Sequence, residues 1–367
     1  MTTARRSRSL AVALVSLTTA GALAADGPPV KPGQKLERLG DEIVVCGQLF
    51  HTTTPVVLWT DPGGYDAYRV ERRFVPLDQA SWAATKEALA KEAAAREPAA
   101  KDVAPENAVR KGLSQPNRFS TRKRPMSPEQ AERVRGGGWS LGELQDVVDQ
   151  FVIHFDACGT SKKCFQVLHD QRGLSVQFML DVDGTIYQTL DLKEGAWHAT
   201  VANGRSVGIE IANVGAYRIG GGAAKAEADP FARWYAKGPD GKTALTVPGG
   251  LENTGVRDKS APLRPSRDEP ITGWVQGAEL RQYDYTPQQY EALTKLTATL
   301  CTIFPKLKCD YPRDGAGALL LKKLPDDRLK AYEGILGHYH VQTNKVDPGP
   351  AFQWDKLIDG ARRLTGR

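Results

Sequence analysis

The spacing of apolar positions changes near residue 140, and the two halves of the chain read differently. In the first half, "EIVVCGQLFHTTTPVVLW" (42–59) is rich in Val and other strand formers and predicts two β-strands around a polar turn. The segment 82–112 is rich in Ala, Lys and Glu with helical spacing as far as Pro98, then loop-like to about 137. In the second half, "WSLGELQDVVDQFVIHF" predicts an apolar strand ending at His154, and "RSVGIEIANVG" (205–215) another strand. Between them, "LSVQFMLDVDGTIYQTL" (174–190) alternates around Asp183-Gly184, the signature of a hairpin. Residues 216–275 are rich in Gly, Pro and charge and read as a long insertion. A helix is predicted at 286–304, where Thr286 caps, Pro287 suits the first turn and Tyr290, Leu293, Leu296 and Leu300 recur at helical spacing. Strands alternating with helices imply an α/β layered fold.

The first 24 residues add a processing signal. Arg5, Arg6 and Arg8 precede an apolar run from Leu10 to Ala20, and Ala22-Leu23-Ala24 offers a small-residue cleavage site. The run is shorter than the ~20 apolar residues of a spanning helix. The expectation is an exported protein, periplasmic or secreted, with no transmembrane segment. Residues 25–140 then form an N-terminal extension with linker, and 141–367 the main domain.

Charge narrows the partners. The chain carries a net charge of +6, and without the three leading arginines 46 basic face 43 acidic residues. Such balance argues against nucleic acid as a partner; the nearest basic run, "RFSTRKRP" (118–125), reads as a solvated linker. A monomer is expected. Five cysteines in an exported chain invite disulfides, and pairing Cys158 with Cys164 and Cys301 with Cys309 is the economical arrangement, leaving Cys46 odd. No CxxC spacing supports a thiolate zinc site.

Candidate chemistry lies in the six histidines and their neighbours. A catalytic zinc site takes three protein ligands of His or carboxylate type and leaves one position open. His154 ends a buried strand, His338 follows a Gly in "GHYH", and Asp347 lies in the polar loop "KVDPGPAF". His340, two residues from His338, competes for the same role if both share a strand face.

The ordered blocks "FVIH", "DVDGTIYQ", "AWHA", "SVGIEI", "TPQQYEAL", "GHYH" and "KVDPGPAF" resemble the zinc-dependent N-acetylmuramoyl-L-alanine amidases of the amidase-2 group, which share their fold with peptidoglycan recognition proteins. The resemblance spans roughly 140–360, apart from the insertion. It implies a mixed central β-sheet flanked by helices, Zn2+ as cofactor and peptidoglycan or muropeptide as substrate. It also implies hydrolysis of the amide between N-acetylmuramic acid and L-alanine. His154, His338 and Asp347 match the metal ligands, Glu210 the general base and Lys345 the residue that steadies the oxyanion. His198 matches a position near the metal, assigned to substrate contact. A disulfide of similar spacing in peptidoglycan recognition proteins favours the Cys158 to Cys164 bridge.

Three features depart from the pattern, one of them a His338 to Asp347 stretch one residue shorter than in similar bacterial amidases. Asp156 stands where the family has a hydroxyl residue, and is a rival carboxylate ligand to Asp347. The insertion is longer than the family's. The alternative reading is a binding module of the same fold that holds muropeptide without cutting it.

Overall fold

Six strands pair in the order Gly334–Gly337, Gln150–Phe155, Ser206–Ile211, Phe178–Leu180, Ile186–Gln188 and Val56–Leu58. Neighbours run parallel except Phe178–Leu180 and Ile186–Gln188, the antiparallel hairpin expected around Asp183-Gly184. This computed structural model describes residues 31–68, 119–122, 126–219 and 229–366. The export signal at 1–24, the helical spacing at 82–112 and half of the basic run at 118–125 lie outside the described residues; within that run Arg122 is not solvated as expected but buried, donating to the Leu192 and Ser206 carbonyls. The fold is α/β, a mixed central sheet flanked by helices, as expected.

Strand alternation sends two different sets of side chains to the two faces. Phe151, Ile153, Val207, Ile209, Phe178 and Leu180 point to one face and pack with Leu293, Leu296 and Leu300 of the Pro287–Ile303 helix. Each such buried side chain contributes about 1.5–3 kcal/mol over its exposed state. That helix starts as the sequence implies: Thr286 accepts a hydrogen bond from the Gln289 amide, Gln289 reaches back to the Thr286 amide, and Pro287 follows the cap. The Trp354–Thr365 helix lies against it, with Gly360 at Thr294. The opposite face presents Gln150, Val152 and His154 on one strand and Ser206, Gly208 and Glu210 on the next, with His154 in register with Glu210.

The sheet is anchored at its other end. Arg205 grips the fully buried carboxylate of Asp149 with two bonds of 2.5 Å, just before the two central strands begin. With that end pinned, the C-terminal ends of three adjacent parallel strands converge, the usual location of a site in such sheets.

Several elements differ from the sequence expectations. Residues 42–59 form three strands, Glu42–Val45, Gln48–His51 and Val56–Leu58, and the tight turn falls at Cys46-Gly47, both with positive φ, rather than in the polar Thr run. A short helix, Leu141–Val147, precedes the first site strand, its start fixed by a Ser140/Glu143 capping box. The segment read as an insertion, 216–275, carries small antiparallel strands, and its last strand, Ile271–Val275, forms a hairpin with Ala278–Gln282 just beyond it.

The expected disulfides are corrected. None of the five cysteines is in one. Cys164 is buried on the Ser161–Phe165 helix with its thiol in hydrogen-bonding reach of Cys158. The loop they border is shaped instead by Asp156, whose Oδ1 accepts from the amides of Cys158, Gly159 and Asn213 at 2.9, 3.0 and 3.0 Å. Cys301 and Cys309 are packed in the main core, where the Cys309 thiol meets the Ile358 carbonyl. No helix among the described residues is long and apolar enough to cross a membrane.

Candidate metal centre

Strand and turn geometry bring three side chains to one point. His154 points from the site face of its strand. His338 is the first residue after the Gly334–Gly337 strand, in a single helical turn, His338–Val341. Asp347 closes a loop back to that turn, its carbonyl accepting from the Tyr339 amide at 3.2 Å. The strand must end in glycine, because a Cβ at Gly337 would lie 2.7 Å from Pro348, the residue after Asp347.

His154 Nδ1 lies 2.9 Å from His338 Nδ1, and both lie 3.0 Å from Asp347 Oδ2. The three residues are 1, 5 and 6 % exposed. Their outer contacts set what the inner atoms can do. His338 Nε2 donates to Gln342 Oε1 at 2.6 Å, which leaves its Nδ1 as a bare lone pair facing inward. His154 Nε2 meets His198 Nδ1 at 3.0 Å, and His198 Nε2 meets Ser206 Oγ at 3.3 Å. The Ser206 hydroxyl can accept or donate, so the chain runs either way: His154 donates outward to His198, leaving its Nδ1 as a lone pair for a metal, or Ser206 and His198 donate inward and His154 Nδ1–H donates to Asp347. Two imidazole nitrogens and a carboxylate oxygen face one another in a buried pocket, and with the protons turned outward they offer a cation two lone pairs and a negative charge. The residues therefore fit zinc, whose catalytic sites use such a nitrogen and oxygen donor set.

The electrostatics agree. Burial, with the His338 ring beside it, pushes the His154 imidazole down to about 4, so it is neutral and able to ligate near pH 7. Burial raises the Asp347 carboxyl, but the two imidazoles outweigh this and hold it well below the usual carboxylate range. Burial, with His154 adding, pushes His198 well below its ordinary value.

The remaining expected residues are placed as follows. Glu210 lies beside His154 across the strand pair, and its Oε2 is buried with no hydrogen-bond partner among the described residues. Burial, with the Asp347 charge next, pushes its carboxyl well above the usual range. Lys345 is partly exposed, close enough for its charge to act on His154 and Glu210. His340 is no rival ligand in this geometry: its Nδ1 accepts from the Gly337 amide at 2.9 Å and its Nε2 donates to the Leu320 carbonyl at 2.7 Å. Asp156 is likewise outside the cluster of three. His169 is buried between Asp170 and the Ala67 carbonyl, and His51 pairs with Asp41 at the surface.

A family model described as N-acetylmuramoyl-L-alanine amidase matches residues 144–350, more than half of the chain. The chain belongs to the N-acetylmuramoyl-L-alanine amidase family. All three clustered residues of this amidase lie inside the matched span. Among solved structures, the chain is similar to an AmpD derivative at 15 % identity, covering 66 % of this chain and 89 % of that one with a TM-score of 0.29. It is similar to AmiD from E. coli, in complex with anhydro-N-acetylmuramic acid-L-Ala-D-gamma-Glu-L-Lys, at 16 % identity, 58 and 57 % coverage and a TM-score of 0.30. A third similar structure is AMPDH3 from Pseudomonas aeruginosa with anhydromuramic pentapeptide, at 15 % identity, 65 and 63 % coverage and a TM-score of 0.31. No curated protein matches the amidase chain in sequence.

Three residues that support the site went unnoticed in the sequence. Gln342 orients His338; its only signal is the i, i+4 spacing, which becomes meaningful once 338–341 is helical. Asn203 holds the His198 loop by accepting from the amides of His198 and Ala199 at 3.1 and 2.6 Å. Gly208 makes room for the His198 ring, since a Cβ there would lie 2.5 Å from it.

Proposed function

We propose that this protein is an exported, zinc-dependent hydrolase that cleaves the amide between N-acetylmuramic acid and L-alanine in peptidoglycan or muropeptides. One observation carries the reading: His154 Nδ1, His338 Nδ1 and Asp347 Oδ2 converge within 3.0 Å in a buried pocket of a chain that belongs to this amidase family. In this reading His154, His338 and Asp347 hold zinc. When bound, zinc supplies Lewis acidity, making water nucleophilic near neutral pH and polarising the scissile carbonyl.

The chain's own residues supply the rest. Glu210, next to His154, takes the proton of the attacking water and passes it to the departing amine of L-alanine. A buried carboxylate oxygen that lacks a protein partner suits that task, because nothing has to be displaced to receive the proton. Lys345 places a positive charge where the carbonyl oxygen becomes negative. His198 orients His154 from behind, and we propose this positioning beside the substrate contact implied by the resemblance. The leading Arg-rich and apolar segment supports export to the periplasm or the exterior.

The test is digestion of purified peptidoglycan by the zinc-loaded protein, with released products identified by mass spectrometry. Free stem peptides beginning with L-alanine are expected. Binding to the polymer with no peptide released would overturn hydrolysis and favour a binding module.

A further inference from the structure

The turn of the 271–282 hairpin touches the metal centre from outside. It falls at Gln276-Gly277, and Gln276 adopts a left-handed φ of 53°, a conformation disfavoured for a residue with a side chain. Glycine would relieve that strain, so the side chain is what the position gains. Gln276 Nε2 donates to the carbonyls of Tyr339 and Gln342 at 2.8 and 2.9 Å. Its Oε1 accepts from the Lys323 amide at 3.2 Å, and its own amide donates to the Leu321 carbonyl at 2.9 Å. The side-chain amide thus ties the hairpin to the His338 turn, while its oxygen and the backbone amide tie it to the 321–323 segment.

The two carbonyls it holds are specific ones. They belong to the turn that presents His338 and to Gln342, whose Oε1 accepts from His338 Nε2 at 2.6 Å. The other end of the hairpin does the same for the third ligand. Gln282 Nε2 donates to the Pro348 carbonyl at 3.0 Å, and Gln282 Oε1 accepts from the Ala351 amide at 3.0 Å, fixing the turn that follows Asp347.

We propose that Gln276 is a positioning residue for the metal centre: its side-chain amide fixes the His338 turn and Gln342, and so couples this hairpin to metal affinity. The inference rests on the zinc reading above and goes beyond it by giving the hairpin a function. Partners one shell out from a metal ligand change affinity by about 10–100-fold when removed, and Gln276 acts through Gln342, so the lower end applies.

The experiment is zinc competition against a chromogenic chelator, using the full-length protein and the variants Gln276→Gly, Gln276→Glu and Trp274→Ala. Gln276→Gly suits the left-handed backbone and removes only the side chain; Gln276→Glu keeps the shape and removes the donor. Both are expected to bind zinc about 10-fold more weakly, while Trp274→Ala, exposed on the same hairpin, binds as the wild type does. Gln342→Asn, one methylene short, leaves the hairpin untouched and is expected to lose at least as much. Thermal melting of the metal-free proteins separates positioning from simple bracing. Lower melting temperatures with unchanged zinc affinity would overturn the proposal. A wild type that binds zinc no better than an unfolded control would overturn the zinc reading and this proposal together.

Discussion

At the scale of single residues, the protein keeps several carboxylates buried, and they are not equivalent. Asp347 is held charged by two imidazoles, whereas Asp181 is fully buried with backbone amides of Val182 and Ser161 beside it and no cation against it among the described residues. Burial, with Asp183 nearby, pushes the Asp181 carboxyl well above its usual range. The folded state therefore keeps a proton that the unfolded chain releases above about pH 4. Its contribution to stability is complete below that pH and is lost as the pH rises through the raised folded value. Asp181→Asn removes the loss, so its melting temperature is expected to gain on the wild type as the pH rises above about 4. A difference that stays constant with pH would refute the assignment. At this scale motif order singles out His154, His338 and Asp347, and the structure brings those same three side chains together. The sequence left His338 and His340 as rivals because two residues apart means one face on a strand. The chain leaves the strand at Gly337, and in the helical turn that follows the two rings point to different partners.

At the scale of elements, the site face of the Ser206–Ile211 strand is built from small and polar residues while its other face is apolar core. Gly208 sits beneath His198, and any Cβ would strike the ring at 2.5 Å. Gly208→Ala is expected to fold, because the core face is unchanged, but to displace His198 from His154. Zinc affinity should fall about 10-fold, measured by chelator competition. Unchanged affinity would show that His198 does not orient the ligand. The hairpin at 178–188 and the helix at 287–303 were readable because Asp-Gly turns and Thr-Pro caps are local signals. The single turn at 338–341 was not, since four residues carry no periodicity. Nor was the pairing of the edge strand Val56–Leu58 with Ile186–Gln188, about 130 residues away, a contact that no local pattern encodes.

At the scale of the whole molecule, two segments far apart in sequence deliver the donors, His154 from one and His338 with Asp347 from the other, and their supports come from others still. The sheet brings His154 beside Glu210, the Gly337 strand end presents His338, and the 271–282 hairpin meets the segments that carry His338 and Asp347 through Gln276 and Gln282. The three donors come together only in the folded chain, so cation binding and folding stability are linked. The measurement that tests this account most directly is zinc content per chain for the wild type, Asp347→Ala and Asp156→Asn. One zinc in the wild type, none in Asp347→Ala and one in Asp156→Asn is the predicted result. A wild type without zinc, or zinc that survives Asp347→Ala and is lost in Asp156→Asn, would contradict the centre described here.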